Sequence, residues 1–143
     1  ILTWQPAAPF DGVLLDAPCS ATGTIRRHPD ILHVRQNRGF GKLVDLQSKL
    51  LERAAGLVRP GGLLIYCTCS LEPEEGEHQV SRFLAALPEF ARAPITASEI
   101  GGLADAITSE GDLRTLPSHR FPGDEAGSGL DGFYAARLRR HTI

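Results

Sequence analysis

The order of elements in this sequence predicts an α/β domain built on a mainly parallel sheet. Three observations carry that prediction. Two short apolar runs, 10–16 and 63–70, are continuous in hydrophobic character; two amphipathic stretches lie between and after them; glycine and proline mark the junctions. Parallel strands covered on both faces read as unbroken apolar runs, and strands alternating with helical patterns indicate crossover connections. The 143 residues suit one ordinary domain.

Phe10-Asp11-Gly12-Val13-Leu14-Leu15-Asp16 is the first strand, expected to be buried. Pro18 supplies no amide donor, so the strand stops at about Asp16. Residues 17–40 carry Gly, Pro, Ser, Thr and Arg without long periodicity, and long irregular connections inside compact domains tend to be functional. A helix is predicted from Gly41 to Val58, because Leu43, Leu46, Leu50, Ala54 and Leu57 recur at three- and four-residue steps. Arg59-Pro60-Gly61-Gly62 should end it. The second buried strand is Leu63 to Ser70. A second helix is expected from about Glu74 to Leu87, with Val80, Phe83, Leu84 and Leu87 inward and Glu74, Glu75 and Glu77 favouring its positive amino end. Residues 88–113 are ambiguous. Gly123 to Gly132 reads as a loop, and Gly132 to Leu138 as a last strand at an antiparallel edge.

Composition narrows the function classes. Hydrophobic residues make up 42% and charged residues 22%, as in ordinary globular proteins. No apolar run approaches the roughly 18 residues expected of a membrane-spanning helix, so no membrane partner is expected. Three cysteines do not form a disulfide framework, which points to a reducing cytoplasmic setting. The chain starts at Ile1 and contains no methionine, as expected of a piece of a longer protein. The net charge of -2 does not suit a polycation. Locally, seven basic residues (Arg26, Arg27, Arg35, Arg38, Lys42, Lys49, Arg53) face three acidic ones between 26 and 53, whereas 72–89 holds five glutamates against Arg82. A basic patch or an ordinary solvated surface would each account for the first stretch.

Two clusters carry chemistry, both at the carboxyl ends of predicted strands, where open α/β sheets bind ligands. They are Asp16-Ala17-Pro18-Cys19-Ser20 and Thr68-Cys69-Ser70. If the strands are neighbours, Cys19 and Cys69 reach one rim. A thiol there suits a nucleophile, since the thiolate is the reactive form; cysteine packed as a small hydrophobe fits the same pattern. Cys67 points back along the strand and is assigned to the core. No metal site is expected, because Cys67 and Cys69 are two apart and no second ligand pair follows. His28 and His33 are isolated loop residues, and Gly61-Gly62 lacks the lysine of a phosphate cradle.

Read at full length, Asp-Ala-Pro-Cys-Ser-Ala-Thr-Gly-Thr-Ile-Arg-Arg-His-Pro-Asp (16–30) and Tyr-Cys-Thr-Cys-Ser-Leu-Glu-Pro-Glu-Glu (66–75) resemble the Sun family of RNA 5-methylcytosine methyltransferases, most of all its bacterial members acting on 16S ribosomal RNA. Leu46-Gln47, Arg59-Pro60-Gly61-Gly62 and Asp131-Gly132-Phe133-Tyr134 extend the resemblance over most of the chain. It implies the later half of a Rossmann-like methyltransferase sheet. It also implies S-adenosylmethionine as cofactor, RNA as partner, Cys69 as nucleophile and Cys19 as an aid to product release. Asp16 would lie beside the cofactor and the target base, and Pro18 would shape the base pocket. Arg26 and Arg27, directly after the first motif, are candidates for holding RNA phosphates, or are solvated loop charges.

The chemistry accounts for those residue types. Carbon 5 of cytosine is a poor nucleophile until a thiolate adds to carbon 6, and a hydrogen-bonding group near ring nitrogen 3, which Asp16 could supply, stabilises the charge that develops. The base must also be unstacked. The sequence departs from the family in lacking a glycine-rich cofactor loop, the acid that follows on the next strand, and a leading RNA-binding domain. Weak cofactor binding and little activity are therefore expected of the chain by itself, and half a sheet would leave an edge open to self-association. Other readings are a non-catalytic RNA-binding or assembly module, a methyltransferase acting on transfer RNA, and a cysteine hydrolase. The last has no histidine in a motif that would pair with Cys69.

Overall fold

The computed structural model describes residues 2–34, 39–123, 127 and 129–142. Five strands form one sheet: β1 (Phe10–Asp16), β2 (Val58–Thr68), β3 (Phe90–Arg92), β4 (Leu113–Thr115) and β5 (Phe133–Arg140). The helices are α1 (Ile31–Val34), α2 (Phe40–Ala55) and α3 (Glu77–Ala86), with single 3-10 turns between several elements. Arg35 and Arg38 of the basic stretch lie outside the described residues, as does part of the 123–132 loop.

The strand order is β1-β2-β5-β3, and β4 also pairs with β5. β1 and β2 are parallel, with Leu15 opposite Tyr66 and Asp16 opposite Cys67. β5 runs antiparallel to β2, with Tyr66 opposite Ala136. The α/β class and the antiparallel direction of the last strand agree with expectation, but its place does not. β5 is interior, with β2 on one side and β3 and β4 in succession on the other. Only the β1–β2 pair is parallel among the described strands. β3 and β4 are three residues each, too short to register as periodic patterns.

One face of the sheet carries the core. Leu64, Tyr66, Ala136 and Leu138 meet Leu50, Leu51 and Ala54 of α2 and Val80 and Phe83 of α3 in a single buried cluster. The opposite face is only partly covered. β1, expected to be buried, keeps Leu15 in the core but leaves Leu14 68% exposed. Its outer edge pairs with no strand among the described residues.

The end of α2 differs from expectation. The helix stops at Ala55, three residues before Val58, and the Leu57 amide bonds the Ala54 carbonyl at 3.0 Å. Leu57 and Val58 are both buried, and β2 has already begun when Arg59-Pro60-Gly61-Gly62 arrives. Those four residues form an irregularity against β1: Phe10 pairs with Val58, whereas Gly12 pairs with Leu63. A bulge tolerates proline's missing donor, and Gly61 sits at φ +77°, a conformation that favours glycine. The second helix also starts later, with a 3-10 turn over Pro73–Glu75, a break at Gly76, and then α3. Glu75 is fully buried, so it does not decorate an exposed helix end.

Candidate active site

The β1–β2 register delivers the two motifs to one rim. The Ala17 amide continues the ladder to the Cys67 carbonyl at 2.9 Å, after which Pro18 and Cys19 turn away from the sheet. Cys69 follows the last residue of β2, and its sulfur lies 3.5 Å from that of Cys19. Two thiols 50 residues apart in sequence are thus in hydrogen-bond contact.

Their surroundings differ. Cys19 is 8% exposed, whereas Cys69 is only half-buried. Burial raises the Cys19 thiol; the Ala21 amide hydrogen bond opposes the rise, while the neighbouring Cys69 and the Glu75 charge add to it. The result is pushed up to about 12 from the ordinary 9.0, so Cys19 keeps its proton at neutral pH. A protonated Cys19 can donate to the Cys69 sulfur. Cys67 is buried, as expected, but it does not face purely apolar surroundings: its sulfur lies 3.8 Å from Asp16 Oδ1. Burial, followed by that carboxylate, holds it near 12.

A polar network fixes the turn that carries Cys19. Glu75 accepts the Ser20 amide at 2.9 Å and the Ser20 hydroxyl at 2.5 Å. Gln47 of α2 donates to the Pro18 carbonyl at 2.9 Å and to Glu75 Oε1 at 3.0 Å. Across the gap, the Ser20 and Thr22 hydroxyls each approach Ser70 Oγ at 3.3 Å. Gly23 donates to the Cys69 carbonyl at 3.0 Å and accepts from the Gly132 amide at 2.8 Å. The Cys19 loop, the end of β2 and the entry to β5 are therefore one connected unit.

The remaining sequence-derived residues fall around this unit. Asp16 and Pro18 are exposed at the rim. Arg26 and Arg27 converge on Asp131: Arg26 Nε reaches Oδ1 at 2.8 Å, and Arg27 makes a paired contact with the same carboxylate. The Arg27 guanidinium is held above its usual value chiefly by the hydrogen bond to Asp131, with a smaller contribution from Cys69. A cation therefore stands within electrostatic reach of the half-buried thiol. Among the described residues, the side-chain hydrogen bond of Cys69 goes to Cys19 and not to a histidine, which gives no support to a cysteine hydrolase.

Gln47, Glu75, Gly23 and Asp131 were not singled out from sequence as site residues. For Gln47 a signal existed: a glutamine at 47, between Leu43 and Leu50, falls on the apolar stripe of α2. Glu75 looked like one more acid in an acidic run, and nothing local marks it as the buried one.

Residues 2–139 match the family described as 16S rRNA methyltransferase RsmB/F. The chain is 40% identical over 139 residues to ribosomal RNA small subunit methyltransferase B of Klebsiella pneumoniae, covering 97% of this chain and 28% of that protein. It is 37% identical over 140 residues to the protein of the same name from Shewanella oneidensis, covering 98% and 29%. It thus spans less than a third of the length of these curated relatives. Among solved structures, a methyltransferase homologue from Pyrococcus horikoshii has a TM-score of 0.62 at 28% identity, over 93% of this chain and 40% of that one. NSun6 from the same organism, solved with SFG, shares the fold at a TM-score of 0.71 and 24% identity, over 96% and 32%. Both are consistent with part of a Rossmann-like methyltransferase sheet. A match running nearly end to end, on the motifs that meet at the two thiols, means that this chain belongs to the RsmB/F family of 16S rRNA methyltransferases.

Proposed function

We propose that this chain, within its whole protein, methylates carbon 5 of cytosine in RNA through a covalent bond from Cys69. The RNA is 16S ribosomal RNA by family, and the setting is the cytoplasm. The observation that carries this reading is the thiol pair: an accessible Cys69 sulfur 3.5 Å from a Cys19 sulfur that retains its proton. A pair of unlike thiols at a sheet rim suits addition to an electrophilic ring carbon followed by release.

The chain's own residues supply the attacking thiol and an aid to its departure. The Cys69 thiolate adds to carbon 6 of the ring, which makes carbon 5 electron-rich. S-adenosylmethionine supplies the methyl group when bound. Asp16, exposed at the end of β1 with Oδ1 against the Cys67 thiol, is the residue here that fits a wall of that site, its carboxyl able to take a further donor from cofactor or base. The Gly-rich loop of such sites is not among these residues, so the rest of the cofactor site belongs to the whole protein. Once a base outside the residues assigned here has taken the carbon 5 proton, the ring double bond re-forms and the sulfur of Cys69 departs with its electron pair. The Cys19 S–H, already directed at that sulfur, stabilises the departing thiolate. Pro18, exposed beside Cys19, borders the space where the ring must lie. Arg26 and Arg27, gathered at the Asp131 carboxylate beside the first motif, are the residues that would hold an RNA phosphate.

The test is mechanism-based trapping with the whole protein, using RNA that carries 5-fluorocytosine. Fluorine cannot leave as a proton, so the ring stays bonded to sulfur. A stable adduct lost in Cys69→Ala and retained in Cys19→Ala is the expected result. An adduct that survives Cys69→Ala contradicts the assignment.

A further inference from the structure

Glu75 has no exposed surface, although it is a carboxylic acid in a run of glutamates. Burying such a group is costly unless its oxygens are satisfied, and here every donor comes from the site's own scaffold. Oε1 accepts the Ser20 amide at 2.9 Å and Gln47 Nε2 at 3.0 Å. Oε2 accepts the Ser20 hydroxyl at 2.5 Å and lies 3.2 Å from the Ser20 amide. No lysine or arginine forms a salt bridge with it among the described residues.

The network reaches further through neutral groups. Gln47, also fully buried, uses the same Nε2 to hold the Pro18 carbonyl at 2.9 Å, and its Oε1 accepts from Gln79 Nε2 at 3.1 Å. The Tyr66 hydroxyl donates to the Glu75 carbonyl at 2.7 Å, tying the 3-10 turn to β2. The residues on either side of Cys19, Pro18 and Ser20, are therefore both gripped, one by Gln47 and the other by Glu75. A well-packed apolar side chain at 75 would serve stability as well or better. A fully satisfied polar network instead specifies one geometry.

We propose that Glu75, seconded by Gln47, is a positioning residue that sets the Cys19 sulfur against Cys69 and so governs release of the methylated base. This rests on the function proposed above, in which Cys19 assists the departure of Cys69. It separates release from transfer: the addition step uses Cys69, whose strand end is held by Gly23, Thr22 and Arg114 as well as by the Ser20 hydroxyl, whereas departure needs the Cys19 S–H in place. A displacement of about 1 Å can cost as much as about 100-fold in rate.

The experiment uses the whole protein, an unmodified 16S ribosomal RNA transcript and tritiated S-adenosylmethionine. Wild type is compared with Cys19→Ala, Glu75→Gln and Ser20→Ala. Glu75→Gln keeps the shape but replaces an acceptor with an amide donor, so the Ser20 hydroxyl must turn to accept; Ser20→Ala removes the hydroxyl contacts to Glu75 and Ser70, keeps the Ser20 amide bond to Glu75, and guards against a folding defect in the first variant. Covalent RNA–protein adduct is read on denaturing gels, and first-turnover methyl transfer is read beside steady-state turnover. The expected result is adduct accumulation in Glu75→Gln and Ser20→Ala as in Cys19→Ala, with steady-state turnover falling about tenfold or more beyond any loss in the first turnover. A role in folding alone would lower both rates together and leave no adduct. That pattern, or adduct in Cys19→Ala but in neither of the other variants, overturns the inference while the proposed function stands. Absence of methyl transfer by wild type overturns the proposed function and this inference with it.

Discussion

Gly23 is where the site is least able to absorb change. It is buried, and a Cβ built on it would lie 1.8 Å from the Gly132 carbonyl oxygen, 2.5 Å from its carbon and 2.9 Å from the Cys69 carbonyl oxygen. Carbon–oxygen contacts below about 3.3 Å are repulsive, so the backbone on one side must withdraw by roughly 1.5 Å. All three atoms are main chain, and no side-chain rotation relieves the clash. Withdrawal breaks the Gly132 amide bond to the Gly23 carbonyl, at 2.8 Å, and strains the Gly23 amide bond to Cys69, at 3.0 Å. A buried polar group left unpaired costs about 1–3 kcal/mol, so Gly23→Ala should cost about 2–6 kcal/mol. That is a large share of the roughly 5–15 kcal/mol typical of a folded domain. Urea denaturation measures it, with Gly12→Ala as the control. The nearest atom to a Cβ at Gly12 is the Leu63 carbonyl oxygen at 3.9 Å, an ordinary contact, so the control should change stability by no more than about 1 kcal/mol. A Gly23→Ala protein with an unchanged midpoint and undiminished methyl transfer would refute the account of the site as one backbone-linked unit.

Two further outcomes follow from the electrostatics. Cys19 and Cys67 hold their protons to about 12 in the fold, against 9.0 when unfolded. Between those values the unfolded chain releases protons that the folded chain keeps, so stability falls as pH rises from about 9 toward 12. Denaturation midpoints measured across that window should decline, and less steeply in Cys67→Ala; an equal slope in the variant counts against the assignment. Asp131 joins two partly exposed arginines in pairs of a kind worth about 0–1 kcal/mol. Asp131→Asn should therefore cost little stability while leaving Arg26 and Arg27 more available. Binding to single-stranded RNA should tighten at low salt, with log K against log salt steeper by about 0.7 for each phosphate gained. An unchanged slope removes both arginines from the RNA contact.

What the sequence determined by itself was the local chemistry and its likeness to a family. The boundaries of β1, the two cysteine motifs and the strand–helix–strand unit that makes them neighbours are all properties of short stretches, and periodicity and punctuation report them directly. Tertiary structure decided the rest. It placed β5 inside the sheet, because its partners β3 and β4 are three-residue strands with no pattern of their own. It drew β2 back through Pro60 and Gly61, with Val58 fully buried in the core at its start. It chose Glu75 from among five neighbouring glutamates to meet Ser20, 55 residues earlier, and joined Arg26 to Asp131 across 105 residues. Such choices depend on which distant groups the packed sheet brings within about 3 Å, and a linear pattern holds no record of that distance.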